Sequence, residues 1–305
     1  MSIITTWEAV PSRLFSLYAS LIVHSAGESR IRLEGLATPP SLSNRGTTEE
    51  GAGTTTLFNR ALGEALNVGL LDADGDRLRI SDAARRVSER GGSLEDSFRR
   101  FMIEVLFNQE RAEVAQQGAF MLALAWFLTK SPLIPQSFRN DPQSLLRSDL
   151  GDRSGETELK VVSDYQNFLY WARFLGFATI VGGRDADENK DARWAFPDPL
   201  AAIDPVLTVL FGKDNELSIG AFMARLCDIY PVFEGGTVRQ QIESISGSSP
   251  YADQRRLSPA TSIALQRLQD RKRLELVSRA DAPIVILDLG VRELRVSHIV
   301  KKGLA

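Results

Sequence analysis

The chain has 305 residues, 43% of them hydrophobic and 25% charged, with a net charge of −3. That is the composition of a globular protein of two or three domains, and the negative total excludes a uniformly basic nucleic-acid coat, though not a single basic face. The lone Cys227 excludes an internal disulfide framework and a multi-cysteine zinc site. A reducing, cytoplasmic setting fits. The start, Met1-Ser2-Ile3-Ile4-Thr5, lacks the basic and apolar regions of a secretion signal. The most apolar stretch, Ala119–Leu128, is far shorter than the roughly 18–20 residues needed to span a bilayer, so no membrane partner is expected.

The first stretch with helical spacing is 12–23, where Leu14, Phe15, Leu17, Tyr18, Leu21 and Ile22 share a face. A short helix over 30–36 ends before Pro39-Pro40. Residues 41–56 are rich in Gly, Ser and Thr and read as a mobile insert. A third helix over 57–68 stops at Gly69. Leu70-Leu71 and Leu78–Ile80 then read as a hairpin, with Asp72–Asp76 as its wing. After Gly91-Gly92, helices are predicted over 94–109 and 117–129, then a loop marked by Pro132, Pro135 and Pro142. One long helix is predicted over 156–175, ended by Gly176. The strands 177–181 and 194–196 flank a long polar wing at 182–193. Helices over 200–211 and 217–229 follow, and an insertion at 235–253 precedes the last helix. There Ser258 is an N-cap and Pro259 the first helical residue, and Ala264, Leu265 and Leu268 share a face. Leu274–Val277 and Ile284–Leu287 read as a closing hairpin across 278–283, and His298 falls near a frayed tail.

One order of elements is thus written three times. The fold expected is mainly α with small β-hairpins, an α+β chain of three tandem winged helix-turn-helix modules at 1–92, 93–198 and 199–305.

Charge is concentrated in the last module. From Arg255 to Ala305 there are eleven Lys and Arg against five Asp and Glu, a net +6 in a chain whose total is −3. Arg267 and Arg271 are four apart on one helix face. Gln266 and Gln269 stand beside them with groups suited to base edges, and Ser262 lies one turn earlier. Arg255, Arg256, Lys272 and Arg273 would hold phosphates. These nine residues form the expected contact with double-stranded DNA. The cluster Arg85, Arg86, Arg90, Arg99 and Arg100 is diluted by Glu89, Glu95 and Asp96 and reads as a solvated face.

Catalytic patterns are sparse. His24 and His298 are the only histidines, and neither completes a Ser–His–Asp order. Asp72-Ala73-Asp74-Gly75-Asp76 is close to a calcium loop, but its Gly comes two positions early and Ala83 replaces the twelfth-position Glu, so a turn is expected. Glu158-Leu159-Lys160 with Asp141, Asp149 or Asp152 fits a nuclease pattern only if Glu158 and Lys160 lie on a strand. No phosphate-cradling glycine motif occurs, and no cofactor or metal is expected.

Three strings, Trp171–Phe177, Pro197-Asp198-Pro199 and Leu257–Ser262, are similar to those of a known family. On them the chain resembles the DpdG proteins, accessory proteins of bacterial islands that place 7-deazaguanine in DNA. The strings fall in the second half, and the first half matches in layout. The resemblance implies a cytoplasmic, non-enzymatic component of a multi-protein defence or restriction system, with other subunits of that system as partners, and it carries over no catalytic residue. Two functions follow: an adaptor that binds DNA through its C-terminal winged helix, or a purely protein-binding scaffold of a multi-subunit ATPase or helicase complex. Homo-oligomerisation is left open.

Overall fold

The computed structural model describes residues 2–24, 26–37, 52–183, 192–247 and 250–303. It is mainly helical with four three-stranded sheets, and it divides into two compact units, 1–118 and 119–305. Among the described residues no helix is long and apolar enough to cross a membrane.

The first unit starts with α1 (Pro11–Ile22), whose Pro11 opens the helix with a ready-made φ. The two-residue strand β1 (Glu28–Ser29), α2 (Arg30–Ala37) and α3 (Ala52–Asn67) follow. The expected insert at 41–56 lies outside the described residues up to 51, and from Ala52 the backbone is already helical. Gly69 ends this stretch at φ +66°. Strands β2 (Leu71–Asp74) and β3 (Arg77–Ile80) then form a hairpin. The expected five-residue wing shrinks to Gly75-Asp76, because Asp74 pairs with Arg77 and Gly75 supplies the positive φ a two-residue turn needs. The helices α4 (Asp82–Ser88), α5 (Leu94–Phe107) and α6 (Gln109–Val114) complete the unit. Ser81, Ser93 and Asn108 cap them in turn, and Ser93 and Asp96 form a reciprocal capping box.

The core of this unit joins Leu14, Leu17, Tyr18 and Leu21 of α1 to Phe58 and Leu62 of α3 and to Phe98 and Phe101 of α5. Phe98 meets both Phe15 and Tyr18 at 5.7 Å between ring centroids. One carboxylate is buried in it. Oε1 of Glu64 accepts from Gln117 Nε2 at 2.8 Å and from Asn67 Nδ2 at 3.2 Å. Gln117 Oε1 in turn accepts from the Ile3 amide at 2.8 Å, which ties the start of the chain to α3. Burial holds the Glu64 pKa above the ordinary carboxylate value, and those two hydrogen bonds only partly offset it.

The second unit begins with α7 (Gly118–Phe127), followed by β4 (Gln136–Ser137) and α8 (Pro142–Leu150), which Asp141 caps. The single long helix expected over 156–175 is in fact a 3-10 turn at 151–157, an irregular stretch, and α9 (Val162–Phe174). Glu158 sits at φ +55°, and Asp164 Oδ2 accepts from the amides of both Lys160 and Val161 at 3.0 Å. A helix cannot run through residues whose amides are used in this way, so it starts at Val162. Glu158 and Lys160 are on neither a helix nor a strand. Strands β5 (Ala178–Val181) and β6 (Trp194–Pro197) follow. Of the long wing expected at 182–193, positions 184–191 lie outside the described residues.

The helix expected over 200–211 is broken by Pro205 into α10 (Leu200–Ile203), a 3-10 turn and α11 (Leu207–Phe211). The next expected helix loses its first residues to β7 (Glu216–Ser218), and α12 (Ile219–Ile229) starts after the Ser218 cap. The insertion at 235–253 contains α13 (Thr237–Ser246) and the start of α14 (Pro250–Gln254). Then come β8 (Arg256–Leu257), α15 (Pro259–Asp270), β9 (Leu274–Val277), β10 (Val285–Asp288), β11 (Glu293–Val296) and β12 (His298–Lys301).

Two strands expected to pair with each other do not. β9 pairs with β12, while β10 pairs with β11 and, in parallel, with β8. The segment between them, with Asp281 at φ +63° and Pro283 after it, leads the chain away instead of turning it back. The tail expected to fray therefore supplies a central strand, with His298 in it.

Three sheets share one plan. The order helix, short strand, helix, helix, strand, strand gives β1-β3-β2, β4-β6-β5 and β7-β12-β9, with the last strand of each set central. The third set carries two insertions, α13–α14–β8 before its third helix and β10–β11 before its last strand. Within the second unit the second and third sets share a core, where Phe177 meets Tyr230 edge-on at 5.2 Å and Phe233 at 6.0 Å.

Gly176 stops α9 at φ +91°, and a Cβ there would lie 2.7 Å from the backbone of Ala201 and Ala202. Gly176→Ala is expected to destabilise the chain by about 3 kcal/mol, against about 1 kcal/mol for Gly75→Ala, where a Cβ meets open space. Urea titration of both variants checks this. The raised pKa of Glu64 means that the stability it contributes is full below its unfolded value and is lost as pH rises through the folded one. Glu64→Gln keeps the acceptor without the charge, so its stability relative to the parent should grow from acidic to neutral pH and then level off. Thermal unfolding across that range tests the sign.

Candidate functional site

The nine residues expected to meet DNA all fall around α15, and the structure gives them different fates. Ala260, Thr261, Ser262, Ala264, Leu265 and Leu268 of this helix are buried. Ser262 is fully inside, where its hydroxyl donates to the Leu257 carbonyl and accepts from the Asp288 amide at 2.9 Å. Gln269 Oε1 accepts from the Leu276 amide at 2.7 Å, and Gln266 donates to Asp270 at 2.8 Å. Arg256 bridges Asp288 and Glu293. Arg267 pairs with Asp198, and Arg273 with Asp204, each at 2.7 Å. Arg255, Arg271 and Lys272 are exposed, and no ion pair holds them among the described residues.

Half of the net +6 counted in the sequence is therefore matched in space by acids from outside the segment, Asp198, Asp204 and Glu216. Arg279 joins Glu216 at 2.7 Å, and Lys302 joins Glu275 at 2.8 Å. The open side of α15 presents Pro259, Ile263, Gln266, Arg267 and Asp270. Of these only the acid Asp270 is exposed, and the other four are half-buried.

The start of α15 is built around a group that the sequence reading passed over. Glu234, 2% exposed, accepts from the Ser258 amide through Oε1 and from the Thr261 hydroxyl through Oε2, both at 2.9 Å. A buried carboxylate here answers the unpaired amides and positive end of the helix. Arg239, 4% exposed, lies 3.6 Å from Glu234 and 2.9 Å from Glu243, and it donates to the Ala125 carbonyl at 3.2 Å. The only sequence hint was an acid set directly before Gly235-Gly236. These groups floor a cavity of about 480 Å³, also lined by Trp126, Lys130, Asp149 and Tyr251. Lys130 pairs with Asp149, and Asp149 also accepts from the Trp126 indole at 2.7 Å. Each cation on this wall has a carboxylate partner, so the cavity offers an anion no unopposed charge.

The lone cysteine and the second histidine make contacts within the fold. The Cys227 thiol faces the carbonyls of Phe233 and Glu234, and burial and Glu234 push its pKa up to about 12. His298 Nδ1 lies 3.0 Å from the Ser297 hydroxyl, inside β12's pairing with β7 and β9.

Arg239→Met removes the cation between two buried carboxylates and is expected to cost about 3–5 kcal/mol. Arg225→Met, at a half-exposed ion pair with Asp214, should cost no more than about 1 kcal/mol. Denaturant unfolding of the two variants separates these outcomes.

A family model described as DpdG-like matches residues 1–282. No curated protein and no solved structure matches the chain. With that model covering nearly the whole length, the chain belongs to the DpdG-like family.

Proposed function

We propose that this protein is a cytoplasmic, non-catalytic adaptor of a bacterial DNA-modification or defence system, built from three winged-helix modules. Its α15 docks on a partner protein of that system. The module assignment is supported by the recurring order of elements and by the central place of the last strand in each sheet. In a winged helix the third helix takes the recognition position, and here those helices are α3, α9 and α15. The adaptor role is what the family suggests.

The observation that carries the protein-docking reading is the open stripe of α15. It offers the proline ring of Pro259, the aliphatic Ile263 and the internally bonded Gln266–Asp270 pair. Arg267 at its border is already neutralised by Asp198. A DNA groove would face an acid and an isoleucine there, whereas a protein surface gains from covering Ile263. Of the nine expected residues, duplex DNA would be left with Arg255, Arg271 and Lys272, which suit phosphates and read no sequence.

Ile263→Glu puts a charge in the centre of the stripe while leaving the core of α15 untouched. The chain co-expressed with the other proteins encoded in its island is expected to co-elute with one of them in size-exclusion chromatography. Ile263→Glu should abolish that co-elution without lowering the melting temperature. Loss of co-elution only on replacing Arg271 and Lys272, or no complex with any of those proteins, would refute this reading.

A further inference from the structure

The strand that opens each hairpin lies at a sheet edge: β2, β5 and β9 each pair with the central strand alone. The three repeats treat that edge differently. In β2 the acids Asp72 and Asp74 alternate along the strand, and charges on an edge discourage further pairing. In β9 the Leu276 amide is taken by Gln269 Oε1 at 2.7 Å, and Glu275 adds a charge. β5 has neither device. Its sequence, Ala178-Thr179-Ile180-Val181, sits in a run from Gly176 to Gly183 that contains no charged residue and no proline.

The register of the hairpin shows which backbone groups are open. The Asp198 amide donates to the Phe177 carbonyl at 2.9 Å, and the same ladder sets Thr179 opposite Phe196 and Val181 opposite Trp194. Alternate residues of an antiparallel strand bond to the same neighbour, so Thr179 and Val181 spend their amides and carbonyls on β6. Those of Ala178 and Ile180 point to the other side, where no strand lies among the described residues. The side chains along that edge are apolar and incompletely covered. Ile180 is half-buried on the inner face. Val181 and Trp194, opposite each other on the outer face, are 44% and 43% exposed.

We propose that β5 is a dimerisation edge, to which a second copy of this chain adds its own β5, antiparallel and centred on Ile180. The open groups dictate that centre. Ile180 of one copy faces Ile180 of the other through an exchanged pair of hydrogen bonds, and Ala178 of each copy comes opposite Gly182 of the other. The pairing joins two three-stranded sheets into one. A two-fold axis sets the strand against itself, and like charges placed opposite one another repel. β2, with its two acids, is unsuited to that arrangement, and the uncharged β5 is suited to it. Thr179, Ile180 and Val181 are β-branched, the residue type that pairs best in sheets. The join covers the two Ile180 side chains with each other and sets Val181 of one copy beside Thr179 of the other, removing apolar surface from water. A strand from another protein would need neither the symmetric centre nor the absence of charge, and these two features select the second copy. The proposal stands apart from partner docking through Ile263.

The test is analytical ultracentrifugation of the full chain from about 1 to about 100 μM, the range that suits an interface built on short strands. The parent should pass from monomer to dimer across it. Val181→Lys puts a charge on the edge of each copy and should weaken dimerisation at least about tenfold, with the melting temperature of the dilute chain unchanged because the side chain is at the surface. Val181→Thr keeps an uncharged, β-branched residue and should dimerise as the parent does. Hydrogen exchange at single-residue resolution locates the contact. The Ala178 and Ile180 amides should exchange more slowly in the dimer than in the dilute chain, while those of Thr179 and Val181, already bonded to β6, should change little. Ile263→Glu should dimerise as the parent does, so failure of the docking reading and failure of this one are separable. The proposal is overturned if the parent stays monomeric at the highest concentration, if Val181→Lys dimerises as tightly as the parent, or if a dimer forms without slower exchange at Ala178 and Ile180.

Discussion

A strand of only two or three residues, placed between the first and second helices of each repeat, determines how the rest of that repeat is assembled. β1, β4 and β7 each pair with the final strand and never with the one before it. The last strand is thereby gripped on both sides, and the hairpin cannot swing away from its helices. Such short strands contribute few hydrogen bonds, so their value is geometric. They fix the register, and a slip of one residue would send every inward side chain of the hairpin outward. With the hairpin held, the third helix packs on one face only, and which residues remain outside follows from its sequence.

The second unit also depends on carboxylates at helix starts. Asp164 takes the two amides ahead of α9, and Glu234 takes an amide and a hydroxyl at α15. The two act in different surroundings. Asp164 belongs to its own helix, so α9 is capped locally and keeps its outer side clear. Glu234 comes from the segment before α13 and is buried with Arg239 and Glu243. Capping α15 therefore requires the insertion to fold against it, and the buried charges tolerate burial only because each has a partner.

Much of the local structure was legible because its causes are local. Ser258-Pro259, Gly69 and Gly176 each mark a helix end by their own chemistry. The pairing of strands was not legible. Ile299 lies beside Leu217 and Leu276, and nothing in the sequence near any of them says so. The same limit affected the charge count. Eleven cations in the last segment pointed to phosphate, but Asp198 and Asp204, the partners of Arg267 and Arg273, stand 69 positions earlier in the chain. A sum along the sequence counts charges without their neighbours.

The contrast between α9 and α15 shows how one topology yields two surfaces. Around α15 the insertions supply Leu257 and Asp288, and the segment before α13 supplies Glu234; each takes up a polar group that an uncovered helix would offer to solvent. Arg267 is drawn to the acid of Pro197-Asp198-Pro199, the turn that joins the second repeat to the third. That same Asp198 accepts from Thr179 on β5 and caps the entry to α10, so the arginine is tied to a rigid turn. An arginine held in this way has exchanged its capacity for an outside anion for a part in joining two repeats. Around α9, Arg193 donates to the Tyr170 hydroxyl and its guanidinium lies over the Phe138 ring. Hydrogen bonds to neutral groups orient a cation and leave its field outside, whereas ion pairs orient it and remove that field. On that physical difference rests the proposed reading of α15 as a face for protein, since the ion pair of Arg267 with Asp198 leaves little field there for a polyanion.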